Sequence, residues 1–70
     1  MKITVNGETK ELTPESEPHN LQNVLTQLGH NLYLVVVEFN GVILPRQDWE
    51  QQQIKDGDRL EIVTIVGGGS

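Results

Sequence analysis

Few residue types in this 70-residue chain could carry chemistry, and most lack the companions that catalysis needs. The chain has no cysteine, which excludes disulfides, thiolate metal sites and thiol catalysis. His19 and His30 flank a predicted helix in polar surroundings, and no serine with an orienting acid lies near either one in the sequence. We expect both histidines at the surface, and we assign no catalytic residue, metal ligand or cofactor.

The ten carboxylates are scattered along the chain rather than paired. Paired carboxylates perform acid–base catalysis in a desolvated site, whereas Glu15 and Glu17 lie in a polar loop with two prolines. Asp56 and Asp58 flank Gly57, and a calcium loop would need a longer series of oxygen ligands. We therefore predict an ordinary turn at Asp56-Gly57-Asp58.

Unlike the histidines and carboxylates, the C-terminal run Gly67-Gly68-Gly69-Ser70 offers a group that could carry chemistry. Glycine has no Cβ and packs nothing, so such a run by itself indicates either a flexible end or a cloning remnant. Its functional interpretation is a thin arm, about 13 Å long at most over four residues, that threads a narrow channel in another protein. The terminal carboxylate, once adenylated, becomes an acyl electrophile that sulfur can attack to form a thiocarboxylate.

Composition and charge exclude further classes of function. The net charge of −5 and a pI near 4.7 argue against nucleic-acid binding, which needs a basic patch. The chain contains no run of about 18 apolar residues, so we predict no membrane-spanning helix. The N-terminal sequence lacks the apolar core of a signal peptide, so we expect a cytoplasmic location.

The elements that must position the tail follow from periodicity and turn residues. Alternating or continuous apolar runs predict strands at 2–5, 8–12, 34–39, 42–44 and 59–66. Asn6-Gly7 and Asn40-Gly41 predict tight hairpin turns because both residue types tolerate positive φ. A helix is predicted from an Asn20 cap to Gly29, and a brief helical turn at 48–51 with Trp49 in the core.

The order hairpin, helix, hairpin, short turn, strand favours one helix crossing one face of a mixed sheet of four or five strands. The strongly apolar last strand is expected in the centre, parallel to the first. This is the α+β architecture called β-grasp, or ubiquitin-like. We predict a β-grasp domain over residues 1–66 and a flexible tail over 67–70.

A sheet with one helix leaves its other face exposed. We define the outer-face patch as the residues predicted on that face: Leu34, Val36, Val63 and Ile65, with Glu38 and Glu61 at its margin. A contiguous apolar patch on a small protein marks a docking surface, and the negative margin suits a partner with a basic edge around an apolar centre. The alternative is that loops cover this face.

The chain resembles the ThiS family, the sulfur carriers of thiamine biosynthesis, over nearly its whole length. The resemblance rests on several motifs: ITVNGE at 3–8, Asn40-Gly41-Val42-Ile43-Leu44-Pro45-Arg46 with Trp49 following, Asp56-Gly57-Asp58, and Leu60-Glu61-Ile62-Val63 leading to Val66-Gly67-Gly68-Gly69. The element Pro-Arg-x-x-Trp followed by Asp-Gly-Asp is fairly specific to this family, whereas the Gly-Gly end is shared by ubiquitin-like proteins in general.

The resemblance implies that an E1-like, ThiF-like enzyme adenylates the C-terminal glycine with ATP and that sulfur transfer then forms a thiocarboxylate. A ThiG-like thiazole synthase would receive that sulfur. The chain would be a protein co-substrate rather than an enzyme. The family ends on glycine, so the resemblance places the attachment at Gly69, after Gly67 and Gly68, with Ser70 absent from the active form.

Three other functions stay open at this point. The carrier of molybdopterin synthesis shares the fold and the tail, although Pro45-Arg46 with Trp49 favours the thiamine branch. A ubiquitin-like modifier would form an isopeptide bond with lysine on target proteins. A small interaction module with an inert tail would keep its function after deletion of residues 67–70.

Overall fold

The structure, a computed structural model, describes residues 1–12 and 19–65. Its elements are β1 (Lys2–Val5), β2 (Glu8–Glu11), α1 (Leu21–Gln27), β3 (Val35–Phe39), β4 (Val42–Leu44), a 3-10 helix η1 (Arg46–Asp48) and β5 (Arg59–Thr64). The strands form one five-stranded sheet in the order β2-β1-β5-β3-β4. Only the β1–β5 pair is parallel among these strands. The predicted α+β β-grasp fold, with the last strand central and parallel to the first, is confirmed.

Both Asn-Gly pairs form the predicted hairpin turns. Asn6 and Gly7 have φ values of 52° and 83°, and Asn40 and Gly41 have values of 49° and 89°. Positive φ at both central residues is the geometry whose twist matches that of the flanking strands. These turns set the two hairpin registers, with Val5 opposite Glu8 and Phe39 opposite Val42.

Helix α1 begins and ends as its sequence predicts. The Asn20 side chain accepts a hydrogen bond from the backbone N–H of Asn23 at 2.8 Å, and Gly29 follows the last turn with φ of 88°. Seven residues are too few for a stable isolated helix, so α1 depends on packing. Its buried face, Leu21, Val24 and Leu25, joins the core formed by the inner face of the sheet.

The connection from β4 to β5 closes the core around Trp49. The predicted turn at 48–51 is present, since the Gln51 N–H donates to the Asp48 carbonyl oxygen at 3.3 Å, but the helical part, η1, lies just before it and directly follows Pro45. The Trp49 ring is 1% exposed, and its Nε1–H donates to the carbonyl oxygen of Leu44 at 3.0 Å. The prediction that Trp49 belongs to the core is confirmed.

Several strand ends differ from the predicted ones. β3 begins at Val35 rather than at residue 34, because the Leu34 N–H turns back to the Asn31 carbonyl oxygen at 3.0 Å. β2 ends at Glu11 and β5 at Thr64. The predicted loop at 13–18, Val66 and the glycine tail lie outside the described residues. Within 1–12 and 19–65, no helix is long and apolar enough to cross a membrane.

Replacement of a core leucine should destabilise the domain far more than replacement of a surface leucine. Leu25 is 0% exposed, whereas Leu34 is 44% exposed. We expect Leu25→Ala to lower the free energy of unfolding by about 2–5 kcal/mol, because it removes buried methyl groups and leaves a cavity. Urea unfolding followed by circular dichroism measures the change. Leu34→Ala is the matched control, and equal losses for the two variants would contradict the assignment of the core.

Candidate functional site

The structure brings the four apolar residues of the outer-face patch together on β3 and β5. Val36 lies directly opposite Val63, and the Ile65 N–H donates to the Leu34 carbonyl oxygen at 2.6 Å. Their exposed fractions are 44% for Leu34, 38% for Val36, 63% for Val63 and 49% for Ile65. On β3 the neighbour Val37 is buried, as strand alternation requires, and on β5 Ile62 is buried whereas Thr64 is exposed. No described loop buries this face.

The acidic margin of the patch contains a like-charge pair. Glu38 and Glu61 lie directly opposite each other on β3 and β5, with Glu61 exposed and Glu38 half-buried. Neither carboxylate belongs to an ion pair within the described ranges. Both line a shallow concavity of about 420 Å³ that also includes Arg59. Like charges directly opposite each other destabilise a sheet, so this pair lowers the stability of the domain.

Ile43 is a further member of this face that was not predicted from the sequence. Ile43 pairs with Glu38 across β3 and β4, so its side chain points outward, and it is 63% exposed. The signal was present: a tight Asn40-Gly41 turn sets an antiparallel register, and that register places Ile43 beside Glu38. Ile43 therefore extends the apolar surface onto the edge strand.

An aromatic–cation contact was also missed. The guanidinium carbon of Arg46 lies 4.7 Å from the centroid of the Tyr33 ring, within cation–π distance. Tyr33 is 75% exposed and directly precedes Leu34 of the patch. The two side chains are thirteen residues apart in the sequence, so only the folded chain shows that they meet.

The Asp56-Gly57-Asp58 segment forms a turn whose carboxylates bind backbone. Asp56 Oδ1 accepts from the Lys2 N–H and Asp58 Oδ2 from the Lys55 N–H, each at 2.7 Å. Gly57 has φ of 90°. The predicted turn is therefore present. Among the described residues, no three histidine or acidic side chains are grouped so that they could hold a metal ion.

The predicted sulfur attachment point, Gly69, and the preceding Gly67 and Gly68 lie outside the described residues. The last described residue is Ile65, which follows β5 directly. The position of β5 at the sheet centre determines from which part of the domain the C-terminal segment starts. The outer-face patch includes two residues of that same strand segment, Val63 and Ile65.

A mixed five-stranded sheet crossed by one helix, with a central last strand, defines a small ubiquitin-like domain of the β-grasp class. A profile of the ThiS family matches residues 3–69. The chain therefore belongs to the ThiS family, the sulfur carriers of thiamine biosynthesis that its motifs resemble. The predicted family membership is confirmed.

Individual relatives agree with this assignment. The crystal structure of the thiamine biosynthesis protein ThiS from Geobacter metallireducens is similar with a TM-score of 0.80 and 34% identity, covering 99% of this chain and all of that one. The sulfur carrier protein ThiS of Escherichia coli K12 is 28% identical over 69 residues, which is 99% of this chain and 100% of that protein.

A third relative is much longer. A protein named thiazole synthase from Paramagnetospirillum magneticum is 39% identical over 70 residues. The match covers 100% of this chain but 21% of that protein. The chain thus spans about a fifth of the length of this relative, which joins a similar sequence to a longer chain.

Reversal of one charge in the acidic margin should stabilise the free domain. We expect Glu61→Lys to raise the free energy of unfolding by about 0.2–1 kcal/mol, because it converts a like-charge cross-strand pair into an opposite-charge pair. Urea unfolding at low salt measures the gain, which should shrink in 1 M salt through screening. Glu50→Lys changes the net charge equally at an exposed position without a strand neighbour. An equal gain for Glu50→Lys would assign the effect to net charge instead.

Proposed function

We propose that this chain is a sulfur carrier whose C-terminal glycine is adenylated and then converted to a thiocarboxylate that supplies sulfur for thiazole formation. Membership in the ThiS family over residues 3–69 carries the proposal, since that match includes Gly67, Gly68 and Gly69. Support also comes from the sulfur carrier protein ThiS of Escherichia coli, to which the whole described fold aligns in sequence.

The chemistry requires only a terminal carboxylate on the carrier. A carboxylate oxygen of Gly69 attacks the α-phosphorus of ATP, and pyrophosphate leaves. A sulfide-equivalent nucleophile then attacks the acyl carbon, and AMP leaves with that oxygen to give the thiocarboxylate. Adenylation converts a poor electrophile into a reactive acyl donor, and the activating enzyme supplies the catalytic groups for both steps.

Three consecutive glycines suit a segment that must fit into a narrow channel of another protein. Without a Cβ, each glycine lets surrounding backbone approach closely. Ser70 would place a side chain and one more residue after the reacting carbonyl, so we propose Gly69 as the terminal residue of the active form. In that form three residues beyond Val66 span at most about 11 Å, so the body of the domain must dock close to the reacting centre.

The outer-face patch is the surface we propose for that docking. It combines exposed Leu34, Val63 and Ile65 with the acidic pair Glu38 and Glu61, and it lies on the strand that leads to the glycines. We propose two partners, an E1-like, ThiF-like adenylating enzyme and a ThiG-like thiazole synthase. The long relative named thiazole synthase supports the second partner, because fusion in one chain keeps two cooperating proteins together.

Intact mass spectrometry tests the carrier function directly. The purified chain, and a version that ends at Gly69, are incubated with ATP, a sulfur source and the cognate activating enzyme. We expect the Gly69-ended chain alone to gain the mass of one oxygen-to-sulfur exchange, because adenylation requires a glycyl carboxylate. Absence of a mass change in both chains would contradict the proposal, and an isopeptide conjugate to lysine would support the ubiquitin-like modifier instead.

A pair of valine substitutions tests the docking surface. Val63 and Val42 are both on strands and are 63% and 60% exposed, but Val42 pairs with Phe39 and lies on the opposite face. We expect Val63→Glu to weaken binding to the activating enzyme at least tenfold, because it places a charge in a desolvated apolar contact. Calorimetric titration measures the dissociation constant.

Val42→Glu is the matched control and should leave the dissociation constant within about twofold, since an exposed valine on the opposite face of the sheet contributes little to an interface on the outer face. Circular dichroism of both variants shows that each remains folded. Equal binding by the two variants would exclude the outer-face patch as the docking surface, while the mass-spectrometric result would stand by itself.

A further inference from the structure

The parallel strand β1 ends before its neighbour β5 does. The Thr4 N–H donates to the Asp58 carbonyl oxygen and the Asn6 N–H to the Leu60 carbonyl oxygen, each at 2.9 Å. The paired register stops at Val5 and Leu60 because the chain turns away at Asn6. Ile62 is the next residue whose backbone faces β1 along this edge, and no residue of β1 remains to pair with it.

The side chain of Asn6 takes the place of the missing strand. Its Nδ2 donates to the Ile62 carbonyl oxygen at 3.1 Å, and its Oδ1 accepts from the Ile62 N–H at 2.7 Å. One carboxamide thus makes both hydrogen bonds that two residues of a longer parallel strand would make to Ile62. Ile62 is 6% exposed, so without Asn6 its backbone groups would be short of partners in a largely dry environment.

Beyond Ile62, only one edge of β5 has a strand beside it. Val63 pairs with Val36, and the Ile65 N–H donates to the Leu34 carbonyl oxygen, so β3 holds that edge. Along the β1 edge, the Asn6 carboxamide is the last hydrogen-bond partner for β5 in the described part of the chain. The segment 62–65 therefore depends on β3 and on one side chain, and it directly precedes the C-terminal glycines.

Asn40 makes a similar side-chain contact at the other end of β5. Its Oδ1 accepts from the Arg59 N–H at 2.9 Å, and its Nδ2 donates to Asp58 Oδ1 at 3.2 Å. Both asparagines precede glycine in a hairpin turn, and both have positive φ. They differ in which end of β5 they hold: Asn40 holds its beginning and Asn6 the end nearest the C-terminus.

We propose that Asn6 is a positioning residue for the reaction at the C-terminus. Its carboxamide holds Ile62 in the sheet, and with it the last described residues up to 65, so that the chain beyond residue 65 starts from a fixed place. Small misplacements of a reacting group cost large factors in rate or binding, which gives this contact a role beyond stability. The kinetic part of the proposal rests on the proposed function, whereas the structural part does not.

Replacement of each asparagine by glycine isolates its side chain. Because φ is 52° at Asn6 and 49° at Asn40, glycine fits both turns without backbone strain. Amide hydrogen exchange by NMR reports on β5, and steady-state kinetics of adenylation report KM for the carrier and kcat. Asn6→Asp is a third variant that keeps the acceptor for the Ile62 N–H and removes the donor.

We expect Asn6→Gly to accelerate exchange at Ile62 and Ile65 about tenfold relative to Asn40→Gly, since local opening no longer breaks the two carboxamide bonds. KM for the carrier should rise about tenfold with kcat nearly unchanged, because a loosely held segment must be ordered on binding. Asn40→Gly should leave KM within about twofold, and Asn6→Asp should fall between Asn6→Gly and the unaltered chain.

Equal exchange at residues 62–65 in the two glycine variants would overturn the structural part of the proposal. Faster exchange in Asn6→Gly with KM equal to that of Asn40→Gly would show a merely structural contact and overturn the positioning role. If the unaltered, Gly69-ended chain is not adenylated, the proposed function fails and the positioning role falls with it, while the exchange pattern still decides whether Asn6 holds the strand.

Discussion

The structure depends on the central place of β5. This strand pairs with parallel β1 on one edge and antiparallel β3 on the other, and its inward residues Leu60 and Ile62 are buried in the core. Both hairpins are anchored to it through the asparagines of their turns. Up to Ile62 this strand has hydrogen-bond partners on both edges, and beyond Ile62 only β3 continues beside it. The C-terminal segment therefore starts next to β3, at the end of the central strand.

Packing one helix on a five-stranded sheet leaves the two faces chemically different. The inner face and α1 share a core that includes Trp49 and Leu25, while the outer face keeps Leu34, Val63 and Ile65 exposed. Exposed apolar area and an opposed glutamate pair both lower the stability of the isolated domain. Both features are consistent with the proposal that a partner protein covers this face. The same strand thus contributes to the core, to the exposed face and to the start of the C-terminal segment.

The small size of the chain leaves little room for an internal active site. A domain of 70 residues buries only about 60% of its unfolded surface, so a private catalytic cleft would consume much of its core. A shallow concavity lies on the sheet surface between the two hairpin turns, lined by Gly7 and Gly41 among others. In the proposed function this problem does not arise, because the activating enzyme would supply the cleft and the carrier only its terminal carboxylate.

The sequence by itself determined the local elements and the fold class. Asn-Gly pairs can adopt positive φ, the Asn20 side chain can cap a helix, and alternation of apolar residues separates two faces; each effect acts within a few neighbouring residues. Only the tertiary structure decided the rest. The contacts of Asn6 with Ile62 and of Asn40 with Arg59 join residues 56 and 19 positions apart. The exact end of η1, the outward place of Ile43 and the contact of Arg46 with Tyr33 likewise depend on register and on packing against distant strands. Such contacts leave no period or motif in the sequence, because the partners become neighbours only when the sheet assembles.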